Sequence, residues 1–278
     1  MIRIGYLGPK GTFSHEAMIN YTGQSPYISA EYPSISEIFT AMLDGELDEA
    51  IVPIENSIEG AVNATMDMIS QDTELMIKAE VVISVREHLL VQRGTDISKI
   101  SYVLSHPQPL GQCRRYLAER LPHALTKASY STASAAQEVA AGSGDTAAIG
   151  SKTAAEVYGL EIIEEDIQDY NNNFTRFVVL SRTDAVRTGN DKTSLLFSTE
   201  DKPGSLYRIL DIFNLWDINM TRIESRPAKN RLGRYVFFVD VLGHREDEDL
   251  KDALLMVSRK TSFLKILGSY PISPTKQD

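Results

Sequence analysis

Seven consecutive residues, Asn171-Asn172-Asn173-Phe174-Thr175-Arg176-Phe177, put three amides, a hydroxyl, a guanidinium and two aromatic rings at the entrance of a β-branched run. Amides and hydroxyls supply oriented donors and acceptors, and a guanidinium can grip a carboxylate with two parallel bonds. A small polar anion could be held and given a hydrogen bond here. Each residue also has a purely structural use, since threonine favours strands and asparagine clusters mark turns. If the strand is regular, Arg176 points away from the face of Thr175, while Phe177 shares that face.

A second recurrence is a short strand or loop leading into small polar residues that open a helix. Five such junctions can be read: Gly11-Thr12-Phe13-Ser14, Pro53-Ile54-Glu55-Asn56-Ser57, Ser105-His106-Pro107-Gln108, Ser131-Thr132-Ala133-Ser134 and Gly150-Ser151. Side chains there cap helices, and the helix starts also expose unpaired N–H groups at the positive end of a dipole. Several converging at one sheet edge would receive an anion without a basic patch. His15, His88, His106, His123 and His244 show no metal-ligand spacing, and Gly5, Gly8 and Gly11 do not form a dinucleotide fingerprint. No metal site and no cofactor are expected. The acidic run Glu161 to Asp169 reads as a solvated surface leading into the asparagines.

The elements that must position these residues follow from the apolar pattern. In a chain of 278 residues, 42% hydrophobic and 24% charged, the composition is that of a globular protein. The net charge of -10 argues against a nucleic-acid partner, whose phosphates need basic residues. No signal-peptide core and no run of eighteen apolar residues occurs, so a cytoplasmic location without membrane contact is expected. The single Cys113 cannot form an internal disulfide and reads as a small buried hydrophobe.

Up to about residue 182, short apolar runs alternate with helical periodicity, the mark of α/β architecture with a largely parallel sheet. Strands are expected at Ile2 to Leu7, Ala50 to Ile54, Glu80 to Val85, Leu89 to Val91, Tyr102 to Leu104, Ala147 to Ile149 and Phe174 to Leu180. Ile35, Ile38, Phe39, Met42 and Leu43 follow helical spacing behind a Ser34/Glu37 capping box, and Ile58, Val62, Met66 and Ile69 suggest another helix. A polar linker covers residues 184–192. The remainder reads β-α-β-β-α-β over residues 193–272, with Pro203 and Gly204 at a helix start.

With these motifs in this order, the chain resembles the monofunctional prephenate dehydratases that carry a C-terminal ACT regulatory domain. The resemblance covers nearly the whole sequence. Gly8-Pro9-Lys10-Gly11-Thr12-Phe13-Ser14, Val52-Pro53-Ile54-Glu55-Asn56-Ser57, Ser105-His106-Pro107-Gln108, Ser131-Thr132-Ala133 and Asn172-Asn173-Phe174-Thr175-Arg176-Phe177 carry it in the catalytic part. Gly204-Ser205-Leu206-Tyr207 and Glu224-Ser225-Arg226-Pro227 carry it in the regulatory part.

The resemblance implies a hydro-lyase that converts prephenate to phenylpyruvate with loss of water and carbon dioxide, in phenylalanine biosynthesis. It implies a two-lobed catalytic domain over residues 1–183, like a type II periplasmic-binding protein, with lobes of about 1–77 with 168–183, and 78–167. A ferredoxin-like βαββαβ ACT domain would follow. Thr175 would be the catalytic residue, with Thr12, Asn56, Ser105, Gln112, Thr132, Arg176 and Phe177 around the substrate. Phenylalanine would act as a feedback effector on a homodimer or homotetramer, bound between Gly204, Ser205, Leu206 and Tyr207 and Glu224, Ser225, Arg226 and Pro227. Ser205 departs from the family's usual alanine. Two other readings stay open: an arogenate or cyclohexadienyl dehydratase, and a non-catalytic two-lobed sensor with an amino-acid-binding ACT domain. Glu55 has either a functional role or a merely structural one.

Overall fold

The computed structural model describes residues 1–71, 74–142, 144–227 and 235–273. Its contacts divide the chain into two compact units, Met1–Val62 with Val81–Phe177, and Asn63–Glu80 with Val178–Asp278. Within the described residues no helix is long and apolar enough to cross a membrane.

The first sheet is built from β1 (Ile2–Leu7), β2 (Tyr27–Tyr32), β3 (Glu49–Asn56), β4 (Gly60–Ala61), β5 (Met76–Ser84) and β11 (Phe174–Ser181), in the order β2-β1-β3-β11-β5, with β4 paired to β3. β1 runs parallel to both β2 and β3. Between these strands lie α1 (Phe13–Thr22), α2 (Ile35–Leu43) and α3 (Asn63–Ile69). The expected capping box is present: Ser34 Oγ accepts from the Glu37 N–H at 3.2 Å and donates to the Glu37 carboxylate at 3.0 Å. Ile38, Phe39 and Met42 turn the apolar stripe of α2 into the core.

The second sheet has the order β10-β6-β9-β7-β8, from β6 (His88–Val91), β7 (Tyr102–Ser105), β8 (Leu125–Ala128), β9 (Thr146–Gly150) and β10 (Glu161–Glu164). β7 is parallel to β8 and β9, whereas β6 is antiparallel to β9 and β10. Helices α4 (Pro107–Gln112), α5 (Arg114–Arg120), α6 (Thr132–Ala141) and α7 (Lys152–Tyr158) cover it. Leu89, Val103, Ile149, Cys113 and Leu117 form the core on one face, and Leu90, Leu104, Ala135, Ala136 and Val139 on the other. The buried Cys113 is the small hydrophobe its surroundings require, with burial pushing the thiol pKa up.

The C-terminal part contains β12 (Asp191–Ser198), α8 (Ser205–Leu215), β13 (Met220–Pro227), β14 (Tyr235–Leu242), α9 (Glu248–Lys260) and β15 (Phe263–Pro271), in sheet order β13-β14-β12-β15. This is the expected β-α-β-β-α-β order, of which residues 228–234 lie outside the described residues. Leu195, Phe197, Ile209, Phe213, Val239, Leu254 and Val257 form its core.

Several expectations meet a different structure. Ile58 and Val62 do not start a helix: Gly60–Ala61 pairs back on Glu55 and Asn56, so the helix opens only at Asn63. For the same reason Pro53 to Ser57 is a strand end leading into a turn. Glu161–Glu164 is a strand paired with β6, because the adjacent Ile162 and Ile163 point to opposite faces and pack one on each of the two cores. β12 starts at Asp191, inside the segment read as linker, and the lobe boundary expected near residue 77 falls within β5.

Candidate active site

A cavity of about 290 Å³ opens in the first unit, lined by residues from both of its sheets. Asn56 and Glu59 come from the β3–β4 turn, Thr175 and Asn173 from the start of β11, His106, Gln108 and Gln112 from α4 and its cap, and Ser131 and Thr132 from the start of α6. Glu87, Val85, Phe13, Val62, Pro109 and Tyr130 complete the wall. Among the described residues, the lining includes no lysine or arginine.

A chain of amides sets the polarity of this wall. Asn56 Oδ1 accepts the backbone N–H groups of Ile58 and Glu59, each at 3.0 Å, which fixes the amide's orientation. Its Nδ2 therefore donates, to Asn173 Oδ1 at 2.8 Å and to Thr175 Oγ1 at 2.9 Å. With its oxygen occupied as an acceptor, Asn173 donates through Nδ2 to Gln112 Oε1 at 3.1 Å. Gln112 is left with its NH2 group to offer, and Thr175 with its O–H. Every member is oriented by the preceding one, starting from two backbone N–H groups.

Glu87 is 1% exposed, and among the described residues its Oε2 has no hydrogen-bond partner. Burial first, and the charge of Glu16 second, push its carboxyl up to about 8. Burial thus favours the protonated, neutral acid.

The structure brings Thr175, Asn56, Gln112 and Thr132 to one cavity, and leaves the other expected substrate contacts outside its wall. Thr12 caps α1: its Oγ1 accepts from the His15 N–H at 3.3 Å and donates to the Leu7 carbonyl at 3.1 Å. Ser105 is fully buried and donates to the Ile149 carbonyl at 2.8 Å, fastening β7 near β9. Arg176 faces away from Thr175, as strand alternation requires, with Nε 3.7 Å from Glu55 Oε2. The pair lies one residue from Asn56 on β3 and one from Thr175 on β11, which gives Glu55 a structural partner. Phe177, 2% exposed, packs in the core and does not wall the cavity. Of the five junctions, four are helix caps by Thr12, His106, Ser131 and Ser151.

Sequence reasoning missed Glu87 and the connecting role of Asn173. Glu87 carries no motif, since it sits between Arg86 and His88 before an apolar strand and looks like an ordinary surface carboxylate.

In the C-terminal part, Gly204 adopts a left-handed φ of 78° before α8, a conformation that explains glycine there. Ser205 and Leu206 line one hollow, with Tyr235 and Phe237, and Tyr207 is exposed. Arg226 and Pro227 line a different one. Arg226 Nη1 donates to Asn63 Oδ1 at 2.7 Å, and its Nη2 lies 3.1 Å from Asp67 Oδ1, both on α3. Glu224 and Ser225 precede it on the edge strand β13.

Residues 4–185 match the family model for prephenate dehydratase, and residues 193–255 that for the ACT domain. The chain is 42% identical to a bifunctional chorismate mutase/prephenate dehydratase of Aquifex aeolicus, over 97% of this chain and 74% of that protein. It is 41% identical to a prephenate dehydratase of Methanocaldococcus jannaschii, over 96% and 97% of the two chains. A solved structure of a prephenate dehydratase from Arthrobacter aurescens in complex with L-Phe superposes with a TM-score of 0.89 at 36% identity, covering 98% of this chain and 90% of that one.

Proposed function

As a member of the prephenate dehydratase family with a C-terminal ACT domain, the chain carries, we propose, the decarboxylative dehydration of prephenate to phenylpyruvate in the cavity around Thr175, under feedback by phenylalanine. Loss of one carboxylate and the ring hydroxyl makes the ring aromatic, which supplies the driving force. The protein must provide a donor to the departing hydroxyl, a grip on the side-chain carboxylate, and dry surroundings for the one that leaves.

The observation that carries the site assignment is the amide chain ending on Thr175. Because Asn56 donates into Oγ1 at 2.9 Å, the threonine proton is turned outward for a substrate oxygen. The N–H groups at the start of α6, beside Ser131 and Thr132, and the free NH2 of Gln112 suit carboxylate oxygens in a wall without lysine or arginine. Arg176 supports the site from behind through Glu55 and does not touch the substrate.

The effector is phenylalanine, the amino acid held in complex by the Arthrobacter aurescens relative. Ser205 and Leu206 line one hollow while Arg226 and Pro227 line another, so one effector needs the first motif of one copy and the second motif of another. A homo-oligomer is the active form. The test is to supply purified protein with prephenate and arogenate separately and follow the aromatic product with and without phenylalanine. Phenylpyruvate from prephenate, suppressed by phenylalanine, is expected; turnover of arogenate alone, or of neither compound, would overturn the reading.

A further inference from the structure

Glu87 is held more firmly than an ordinary side chain between strands. Its backbone N–H donates to Gln168 Oε1 at 2.9 Å and its carbonyl accepts from Ile167 at 2.8 Å. Just before it, the Val85 N–H donates to the Asn173 carbonyl at 2.8 Å, and Gln168 Nε2 donates to Asn171 Oδ1 at 2.9 Å. The segment that carries Glu87 is therefore laced to the same asparagine run that carries Thr175. Glu87 lines the cavity with Thr175, Asn56 and Gln112, and its Oε2 has no partner among the described residues. A buried carboxyl with an unmade bond costs stability that packing alone would not maintain.

The reaction needs what such a group offers. Prephenate brings two negative charges and must consume one proton, since a dianion yields a monoanion with neutral water and carbon dioxide. A threonine hydroxyl orients a leaving group but is too weak an acid to supply that proton, and a second carboxylate in this wall would repel the substrate. A carboxylic acid kept neutral by burial does both tasks.

We infer that Glu87 is the proton donor of this cavity, delivering its carboxyl proton to the ring hydroxyl of prephenate while Thr175 holds that hydroxyl in place. The inference rests on the site assignment above. The carboxyl O–H proton passes to the hydroxyl oxygen, and the C–O bond breaks with its electron pair going to the oxygen, giving water. The bond from the ring to the leaving carboxylate breaks with its pair entering the ring, giving carbon dioxide and the aromatic product. The Glu87 carboxylate regains its proton from solvent after release.

The test is the pH dependence of kcat/KM and kcat for wild type, Glu87→Gln and Thr175→Val, with the uncatalysed acid reaction subtracted. Other titrating groups at this position are Glu16 from α1, the Cys113 thiol, and the wall residues Glu59 and His106, with Arg86 and His88 adjacent in sequence. In the wild type, kcat/KM should fall tenfold per pH unit above about 8, where the free acid ionises. Glu87→Gln should lower kcat about 10²- to 10⁴-fold with KM within about threefold, and should abolish that alkaline limb. Thr175→Val should lower kcat yet keep the limb. Wild-type kcat in Glu87→Gln, or a limb that survives it, overturns the inference. Should Glu87→Gln not fold, a wild-type profile flat between pH 7 and 10 overturns it equally. Full turnover by Thr175→Val with the limb intact refutes the role of Thr175 alone and leaves that of Glu87 standing.

Discussion

Replacing Asn56 by aspartate changes one atom group and reverses the polarity of the wall. The remaining oxygen still accepts the Ile58 and Glu59 N–H groups, so the turn keeps its anchor. Where an NH2 donated at 2.8 Å to Asn173 Oδ1 and at 2.9 Å to Thr175 Oγ1, a second oxygen now faces two acceptors. Two hydrogen bonds of about 0.5–1.5 kcal/mol each are lost, and the side-chain Oδ1 of Asn173, a residue 2% exposed, is left unsatisfied at about 1–3 kcal/mol. A loss of about 2–6 kcal/mol of stability at neutral pH follows. The chemical effect is separate. A carboxylate accepts the Thr175 proton better than a substrate hydroxyl does, so the donor turns inward and kcat should fall about 10²- to 10⁴-fold. Facing two acceptors raises the new carboxyl's pKa, and once protonated it can donate one bond again, so activity should recover partly as pH falls from about 8 to about 6. Phenylpyruvate formation across that range, with urea unfolding at the alkaline end, measures both effects. Wild-type kcat at about pH 8 in a folded Asn56→Asp protein would refute the outward-facing threonine.

Thr175→Val keeps the shape of the strand residue and should cost about 10²- to 10⁴-fold in turnover with modest change in substrate affinity, read by steady-state kinetics. Stability should respond to Glu87 in the opposite sense to activity. The folded protein keeps that proton up to about pH 8 while the unfolded chain releases it near 4.5, so stability falls as pH rises through this window. Glu87→Gln should remove that fall, on the order of 4 kcal/mol at most, in denaturant titrations at about pH 5 and about pH 8.5. In the second unit, Lys192 Nζ lies 3.0 Å from the Glu80 carboxylate with both side chains nearly buried. Lys192→Met alone should cost about 3–5 kcal/mol by leaving a buried charge, and Lys192→Met with Glu80→Leu should recover much of it in urea unfolding. Arg226→Ala breaks the contacts to Asn63 and Asp67 on α3 and should lower stability by about 1–3 kcal/mol while weakening inhibition by phenylalanine, read by thermal unfolding and by inhibition curves.

Local physics makes much of this protein legible in one dimension. The box of Ser34 and Glu37, the stripe of α2, and the β-α-β-β-α-β order of the C-terminal part each depend on neighbours within a few residues, so their spacing is written directly in the chain. The facing of Thr175 and Arg176 to opposite sides of a strand is equally local. Elements whose existence depends on a distant partner escape such a reading. Gly60–Ala61 becomes a strand only because Glu55 and Asn56 lie opposite it, and Glu161–Glu164 only because β6 does.

The same division runs through the site. Residue types and order along the chain determined the family and the reaction class, and put forward Thr175, Asn56, Gln112 and Thr132 as candidates, because these sit in or beside contiguous motifs. Tertiary structure alone decided that Thr12 and Ser105 spend their hydroxyls on backbone carbonyls, that Phe177 belongs to the core, and that Asn173 joins Gln112 to Asn56 across 61 and 117 residues of sequence. It also decided the state of Glu87. A carboxyl's acidity is set by the water and charge around it in three dimensions, and no spacing along the chain records how much of that water folding removes.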